Sequence, residues 1–307
     1  VKWVKRSHKI KRFIPFYLMM IPSLLYLFIN NYIPMAGLII AFKSVNYRVG
    51  IINSPWVGFK NFEFLFKTKD AWTITRNTIA YNAAFIILGT VIAIAVAILL
   101  NEITKRIVKN VYQTVILLPY LISIIVVSYI VLAFLSYDTG YINNQLFSAF
   151  GKDPISWYNE PDYWPFILIF VYIWKHFGYS CIIYYATVVG FDKGYYEAAV
   201  IDGANRWQTI TKVTLPMLTP TIVTLTLMNI GRIFYSDFGL FYQVPLNSGP
   251  LQNVTQTIDT YVYRGLIQLN DVGMSSAAGF YQSVVGFVLV LLANMIVSKI
   301  SKDNALF

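Results

Sequence analysis

Two constellations of polar side chains lie inside runs too apolar for a soluble protein. Tyr172, Lys175, His176 and Tyr179 fall at i, i+3, i+4 and i+7 and therefore share one face of a helix. Asn229, Arg232 and Ser236 follow a similar spacing further along, with Tyr235 and Asp237 beside them. Tyrosine and asparagine combine a flat apolar face with donors and acceptors, which is what a sugar requires, and two neighbouring cations also suit a uronic acid. Each group has a plainer reading: Lys175 bonded to helix carbonyls or a carboxylate to lock the fold, Arg232 paired with Asp237, Tyr172 and Tyr179 packing between helices. Both readings stand on sequence alone. Neither is catalytic. His8 and His176 are the only histidines and Cys181 the only cysteine, which reads as an inert thiol inside an apolar run. The sequence contains no H-E-x-x-H, Cys/His cluster, nucleophile elbow or G-x-x-x-x-G-K-[ST] loop, so no metal site is expected, no cofactor and no ATP hydrolysis by this chain itself.

The elements that must position these groups are membrane spans. The chain has 307 residues, 57% of them hydrophobic and 12% charged, and its charges gather between long apolar runs. The runs are Phe13 to Phe42, Asn77 to Leu100, Val111 to Leu135, Tyr163 to Val189, Leu215 to Phe234 and Ser275 to Val297, each able to cross a hydrocarbon core that needs ~20 residues. The expected fold is all-α: one six-helix transmembrane domain over 13-298, a basic tail 1-12 and a C-terminal tail 299-307. The first run carries Pro15, Pro22 and Pro34 and is expected to be kinked or tilted; it is too long for a removable signal and lacks a cleavage pattern. Asn77, Asn82, Gln282 and Asn294 read as interhelical hydrogen-bonding points.

Charge sets the orientation. Lys2, Lys5, Arg6, Lys9, Lys11, Arg12, Lys105, Arg106, Lys109, Lys193, Arg206, Lys212, Lys299 and Lys302 fall on one side, which the positive-inside rule makes cytoplasmic, with both termini there. The first outer loop conflicts with the rule. Its Trp56, Phe59, Phe62 and Phe66 suggest a short amphipathic helix at the outer interface, lysines reaching to headgroups. The outer segment Ser136 to Asp162, rich in tyrosine, tryptophan and acids, faces a delivering protein or forms an aromatic belt. The net charge of +10 thus speaks of topology, not of nucleic acid.

Between the fourth and fifth runs lies a polar segment, about 190-216, that is not a span. Tyr196, Val200, Gly203, Trp207 and Ile210 form an apolar stripe, with Glu197, Asp202, Arg206 and Lys212 off it. Asp202-Gly203 interrupts the helix and favours two short helices at an angle, and Pro216 is placed to begin a new one. Composition alone also allows an amphipathic helix lying on the membrane surface.

The spacing Glu197-Ala198-Ala199, three residues, Gly203, nine residues, Val213, one residue, Leu215-Pro216 resembles the cytoplasmic signature loop of ABC-importer permeases, in which Ile usually stands at the Val213 position. Further stretches are similar to the maltose-type superfamily of binding-protein-dependent inner membrane components and to its polysaccharide, LplB-like branch: Ile21-Pro22-Ser23, Val57 to Phe62, Leu118-Pro119, Trp174 to Gly178, Ile230 to Pro245 and Ile258 to Gly265. The resemblance implies a type I ABC importer permease fold in a bacterial inner membrane. It implies a second homologous permease, two cytoplasmic ATPases carrying ATP and Mg, and an extracellular sugar-binding protein. By the same resemblance Glu197 pairs with a basic residue of the ATPase, and Ala198, Ala199, Asp202 and Gly203 form a coupling helix and its bend, with Leu215 and Pro216 closing the motif. The expected function is the non-catalytic permease subunit of an oligosaccharide importer, for polysaccharide-derived or acidic sugars among others. The alternatives are a stand-alone secondary transporter or channel, which would need intramembrane carboxylates and inverted repeats with broken helices, and a membrane enzyme on lipid-linked sugars, which would need paired acids or metal ligands at a membrane surface.

Overall fold

The computed structural model describes residues 2-300; of the expected C-terminal tail, residues 301-307 lie outside it. The first span opens as α1 (Lys2–Leu27) and continues through a π turn, Phe28–Tyr32, into a 3-10 stretch, Ala36–Phe42. The expected bend is therefore spread over a π turn placed just before Pro34, where a widened turn accommodates the missing N–H. Backbone helix begins at Lys2, so residues 2-12 continue α1 rather than form a separate tail. Every side chain from Phe13 to Ala36 is exposed, so this span stands off the bundle.

The bundle is built on α2 (Asp70–Glu102) and α5 (Trp164–Val189), which pack along much of their lengths. At ~1.5 Å per residue α2 is longer than a bilayer core requires. Toward one end, Tyr81 and Phe85 of α2 pack with Leu168 and Val171 of α5; toward the other, Ala93 and Ala97 meet Cys181 and Tyr184. The small residues at Ala93 and Ala97 let the helices approach closely.

The third apolar run is not a straight span. It divides into α3 (Arg106–Leu121) and α4 (Ile124–Leu135), bent by 94° at Ile122 and Ser123. Ser123 caps α4 by accepting from the Val126 N–H at 3.3 Å. Among the described residues, five helices are long and apolar enough to cross a membrane, or six if this bent pair is one span.

After α6 (Lys193–Ile201), the fifth span starts as α7 (Arg206–Thr209), passes a π turn at Ile210–Thr214 and continues as α8 (Leu215–Ile230). Pro216 thus sits within a helix running from Arg206 to Ile230, not at the head of a new one. The π turn precedes it and absorbs the clash a proline makes with the preceding turn. The span also ends sooner than the apolar run, at Ile230; residues 231-237 are unwound. Short α9 (Phe238–Gln243) and α10 (Ile258–Ile267) lead to the last span, α11 (Val272–Ile300).

The first outer loop holds three short helical pieces, Gly50–Asn53, Lys60–Phe62 and Phe64–Lys67, rather than one amphipathic helix. Phe62 and Phe64 are core residues, whereas Trp56, Phe59 and Phe66 are exposed, so the aromatic spacing does not describe one face.

Candidate functional site

The polar loop is a rigid helical corner. Asp192 opens α6 by accepting from the Gly194 N–H at 2.9 Å. The helix is closed by Gly203, whose φ of +77° is a conformation that L side chains rarely adopt. Gly203 N–H donates to Val200 O at 3.0 Å and Ala204 N–H to Ala199 O at 2.9 Å, the paired bonds of a Schellman ending. Two residues later Asn205 and Gln208 exchange side-chain-to-backbone bonds of 2.8 and 2.9 Å, a capping box that starts α7. The corner is held to the bundle by Tyr196 Oη against Thr214 Oγ1 at 3.3 Å and by Arg206 facing Glu102 at 3.7 Å.

What this corner shows outward is apolar. Val200, Ile201 and Trp207 are exposed, Ile201 at 85%, and Glu197 and Ala198 are exposed beside them. Glu197 forms no ion pair among the described residues. Asp202 and Gly203 are exposed at the bend, Ala199 is half-buried, and Leu215 and Pro216 lie beyond the π turn inside the fifth span. The corner thus exposes an apolar group, Val200, Ile201 and Trp207, beside two carboxylates, Glu197 and Asp202, that form no ion pair among the described residues.

The α5 constellation separates into two roles. Lys175 is buried, and its Nζ donates to the Pro119 and Tyr120 carbonyls at 3.4 and 3.1 Å and also to that of Ile122. These carbonyls lie at the end of α3, where Pro119 O also accepts from the Ile122 N–H at 3.3 Å, so the lysine fastens the 94° bend. The lysine thus has the fold-locking carbonyl partners of its plainer reading. Gly178 makes the approach possible, since a Cβ there would lie 1.9 Å from Ile116 O.

Tyr172, His176 and Tyr179 belong to an aromatic ladder. Phe85 stacks on Tyr172 at 3.7 Å, Tyr172 on His176 at 4.3 Å, His176 meets Tyr120 edge-on at 6.0 Å, and Tyr120 stacks on Tyr179 at 4.9 Å. The His176 Nδ1 lies 2.9 Å from Tyr172 O. The ladder runs from the packed core at Phe85 to exposed Tyr179.

The second constellation does not form a common face, because the helix ends at Ile230. Asn229 and Arg232 are exposed, and Arg232 makes no ion pair with Asp237, which instead caps α9 through the Leu240 N–H at 3.1 Å. Ser236 turns inward: its N–H and Oγ both donate to Asp259 Oδ2 at 2.7 Å, and Oγ also contacts Thr257.

The unwound segment is held by polar groups from neighbouring spans. Asn82 Nδ2 donates to Ile233 O and Tyr235 O at 3.0 and 2.9 Å, and Gln282 Nε2 to Phe234 O at 2.9 Å. Asn77 likewise donates to Asn253 O and Gln256 O. The interhelical role expected of Asn77, Asn82 and Gln282 is what these bonds perform; Asn294 is buried. Broken helix at this depth survives because its freed carbonyls find such donors.

Asp259, Tyr120 and Gly178 were not singled out by sequence reasoning. Asp259 is four hydrogen bonds' worth of acceptor outside any apolar run, and only the break in span five brings it to Ser236 and Gln282. Arg264, buried in α10, donates from Nε to Asn247 Oδ1 at 2.9 Å while its two Nη groups have no hydrogen-bond partner among the described residues; burial holds its pKa below the usual guanidinium value, opposed by Tyr242. Among the described residues no group of three His, Cys, Asp or Glu side chains lies together to hold a metal.

A multi-helix membrane bundle with a broken span and an exposed helical corner after its fourth apolar run is an architecture found among membrane transporters. The chain belongs to the family of binding-protein-dependent transport system inner membrane components, whose pattern it matches over residues 86–302. Permease subunits of this family are non-catalytic membrane components. The chain is 35% identical to Protein LplB of Bacillus subtilis over 94% of its own length and 90% of that protein's. It is 32% identical to the polygalacturonan/rhamnogalacturonan transport system permease protein YteP of the same species, over 94% and 89%. In structure it superposes with a TM-score of 0.88 and 33% identity on a chain of a bacterial ABC transporter involved in the import of the acidic polysaccharide alginate, covering 97% of this chain and 99% of that one. A second structure of a bacterial alginate ABC transporter, in complex with alginate pentasaccharide-bound periplasmic protein, aligns with a TM-score of 0.86 at 32% identity, over 96% of this chain and 98% of that one.

Proposed function

We propose that this chain is the permease subunit of an importer of acidic oligosaccharides released from a polysaccharide, working with a second homologous permease, two cytoplasmic ATPases that bind ATP and Mg, and an extracellular sugar-binding protein. The observation that carries this reading is the α6–α7 corner: a Schellman ending, a capping box and an exposed apolar patch around Glu197. In this reading the bundle lies in a bacterial inner membrane with both termini cytoplasmic, and Glu197 meets a basic group of the ATPase. Closure of the two ATPases displaces α6, and the fastened corner transmits that displacement to the start of span five and, through Arg206 and Glu102, to the end of α2. Binding at the ATPase and binding of the sugar are then linked through one rocking equilibrium.

The relatives named for polygalacturonan, rhamnogalacturonan and alginate support an acidic substrate. Lys175, being spent on carbonyls, does not supply its counter-charge; exposed Arg232, next to Asn229 at the end of the fifth span, is the cation that does. Tyr179 and the exposed end of the ladder supply the stacking surface.

The test is ATP-driven uptake of labelled oligogalacturonate by cells carrying or lacking this chain, compared with uptake of a neutral maltooligosaccharide. Loss of acidic-sugar uptake on deletion, with recovery on re-expression, is expected. Unchanged uptake of every saccharide offered contradicts the proposal.

A further inference from the structure

Between α3 and α5 lies an open groove of about 720 Å³ that neither the coupling corner nor the aromatic ladder accounts for. Sites for small molecules span roughly 300–1,000 Å³, so the groove has room for one or more sugar rings. Its walls include Asn110, Gln113 and Thr114 of α3 and Tyr185 and Ala186 of α5. Thr114 bonds the Asn110 carbonyl, but the Asn110 and Gln113 amides make no hydrogen bond among the described residues. Lys109 stands over the Tyr185 ring at 5.5 Å, near the start of α3.

The two sides of α3 meet different media. Ile107, Val111, Val115 and Leu118 are exposed and suit lipid, whereas the neighbouring face carries Asn110, just before the apolar run, and Gln113 one turn inside it, whose unpaired amide is better matched by water or a polar solute than by hydrocarbon. Along α3 and α5 the groove residues lie between the ladder and the coupling corner. Tyr120 and Tyr179, stacked at 4.9 Å, stand on the same two helices, and successive residues at helical spacing lead from them to Gln113 and Asn110 on α3 and to Tyr185 on α5. At the far end α5 passes into α6, and Arg206 faces Glu102 just before α3 begins.

We infer that this groove is the inner exit track for the saccharide: the Asn110 and Gln113 amides bond sugar hydroxyls, the Tyr185 ring carries a sugar face, and Lys109 draws an acidic chain toward the cytoplasm. The inference rests on the importer reading. It assigns to α3 a part in transport that the intramembrane residues of α5 and the fifth span do not cover.

The test uses the whole transporter in inverted membrane vesicles, with Cys181→Ser as background and Gln113→Cys or Val115→Cys introduced singly. The probe is a membrane-impermeant cationic methanethiosulfonate. Gln113→Cys is expected to react at least tenfold faster than Val115→Cys, to be protected by oligogalacturonate, and to lose oligogalacturonate transport at least tenfold on modification while Val115→Cys keeps it. Equal reaction at the two positions, or an unreactive Gln113→Cys that instead cross-links to a cysteine on the second permease, overturns the inference and makes the groove a packing surface between permeases. The two readings fail separately. If the parent complex shows no ATP-driven uptake, the importer reading falls; if the parent transports and Gln113→Cys stays unlabelled, only the exit track falls.

Discussion

Replacing Gly178 by alanine should break the joint between α3 and α5. The new Cβ would sit 1.9 Å from Ile116 O and 2.7 Å from Ile116 C, where ordinary contact begins near 3.4 Å. Both obstacles are backbone, so no side chain can rotate away, and α3 must withdraw by about 1.5 Å, the difference of those oxygen distances. Overpacking of this kind costs roughly 1–3 kcal/mol. The same withdrawal stretches the bonds from Lys175 to the end of α3, which start at 3.1 Å for Tyr120 O. Hydrogen bonds to a charged group contribute about 1.5–3 kcal/mol. The sum is about 3–6 kcal/mol, enough to unfold or misassemble a marginally stable subunit. The assay is thermal unfolding of the purified transporter in detergent, with Lys175→Met as the second arm of a double-mutant cycle. The two changes should be strongly sub-additive, because each releases the same bend. A Gly178→Ala protein within about 0.5 kcal/mol of the parent, or full additivity with Lys175→Met, refutes the account of the joint.

Gly203→Ala forces an L residue into φ +77° and should cost about 1–2 kcal/mol locally, so oligosaccharide uptake should fall while the α3–α5 joint, probed by cysteine cross-linking, stays intact. Asp259→Asn weakens the acceptor for Ser236 and Gln282 at the break in span five; a loss of about 1.5–3 kcal/mol in unfolding is expected, and Ser236→Ala in the same protein should add little. Tyr158 lies outside the spans with its hydroxyl buried and unpartnered among the described residues, and burial pushes its pKa up to about 12. Its folded pKa being above the ordinary value of about 10, the stability it contributes is complete below pH 10 and is lost as the pH rises from about 10 to 12; Tyr158→Phe should be neutral or slightly stabilising and remove that part of the alkaline transition in a pH series of unfolding curves.

Much of this architecture was legible because hydrophobic length and turn chemistry act locally. The six apolar runs mark the spans, and Asp202-Gly203 marks a helix ending because only glycine adopts φ +77° without strain. The breaks were not legible. Ser123 is a local cap for α4, but nothing local sets the 94° angle, since what holds the bend is Lys175, more than fifty residues away. The early end of span five at Ile230 depends in the same way on Asn82 and Gln282 of other helices. That is why Asn229, Arg232 and Ser236 looked like one face and are not: helical spacing holds only while the helix continues. Lys175 was ambiguous for a related reason. A buried cation is costly unless partnered, but whether the partner is a carbonyl in the same bundle or a sugar outside it is a tertiary fact. The polar stripe of α3 was the signal available and unused, with Asn110, Gln113, Thr114 and Leu117 at helical spacing near the start of an apolar run.

The central claim is that the exposed corner around Glu197 receives the force that drives transport. Isolating this chain with its bound partners from native membranes, beside a Glu197→Arg variant, tests it most directly. The account predicts that an ATPase and a second permease accompany the parent chain, and that the variant keeps the second permease but loses the ATPase. A parent chain recovered alone, or a variant that retains its ATPase and its uptake, would contradict it.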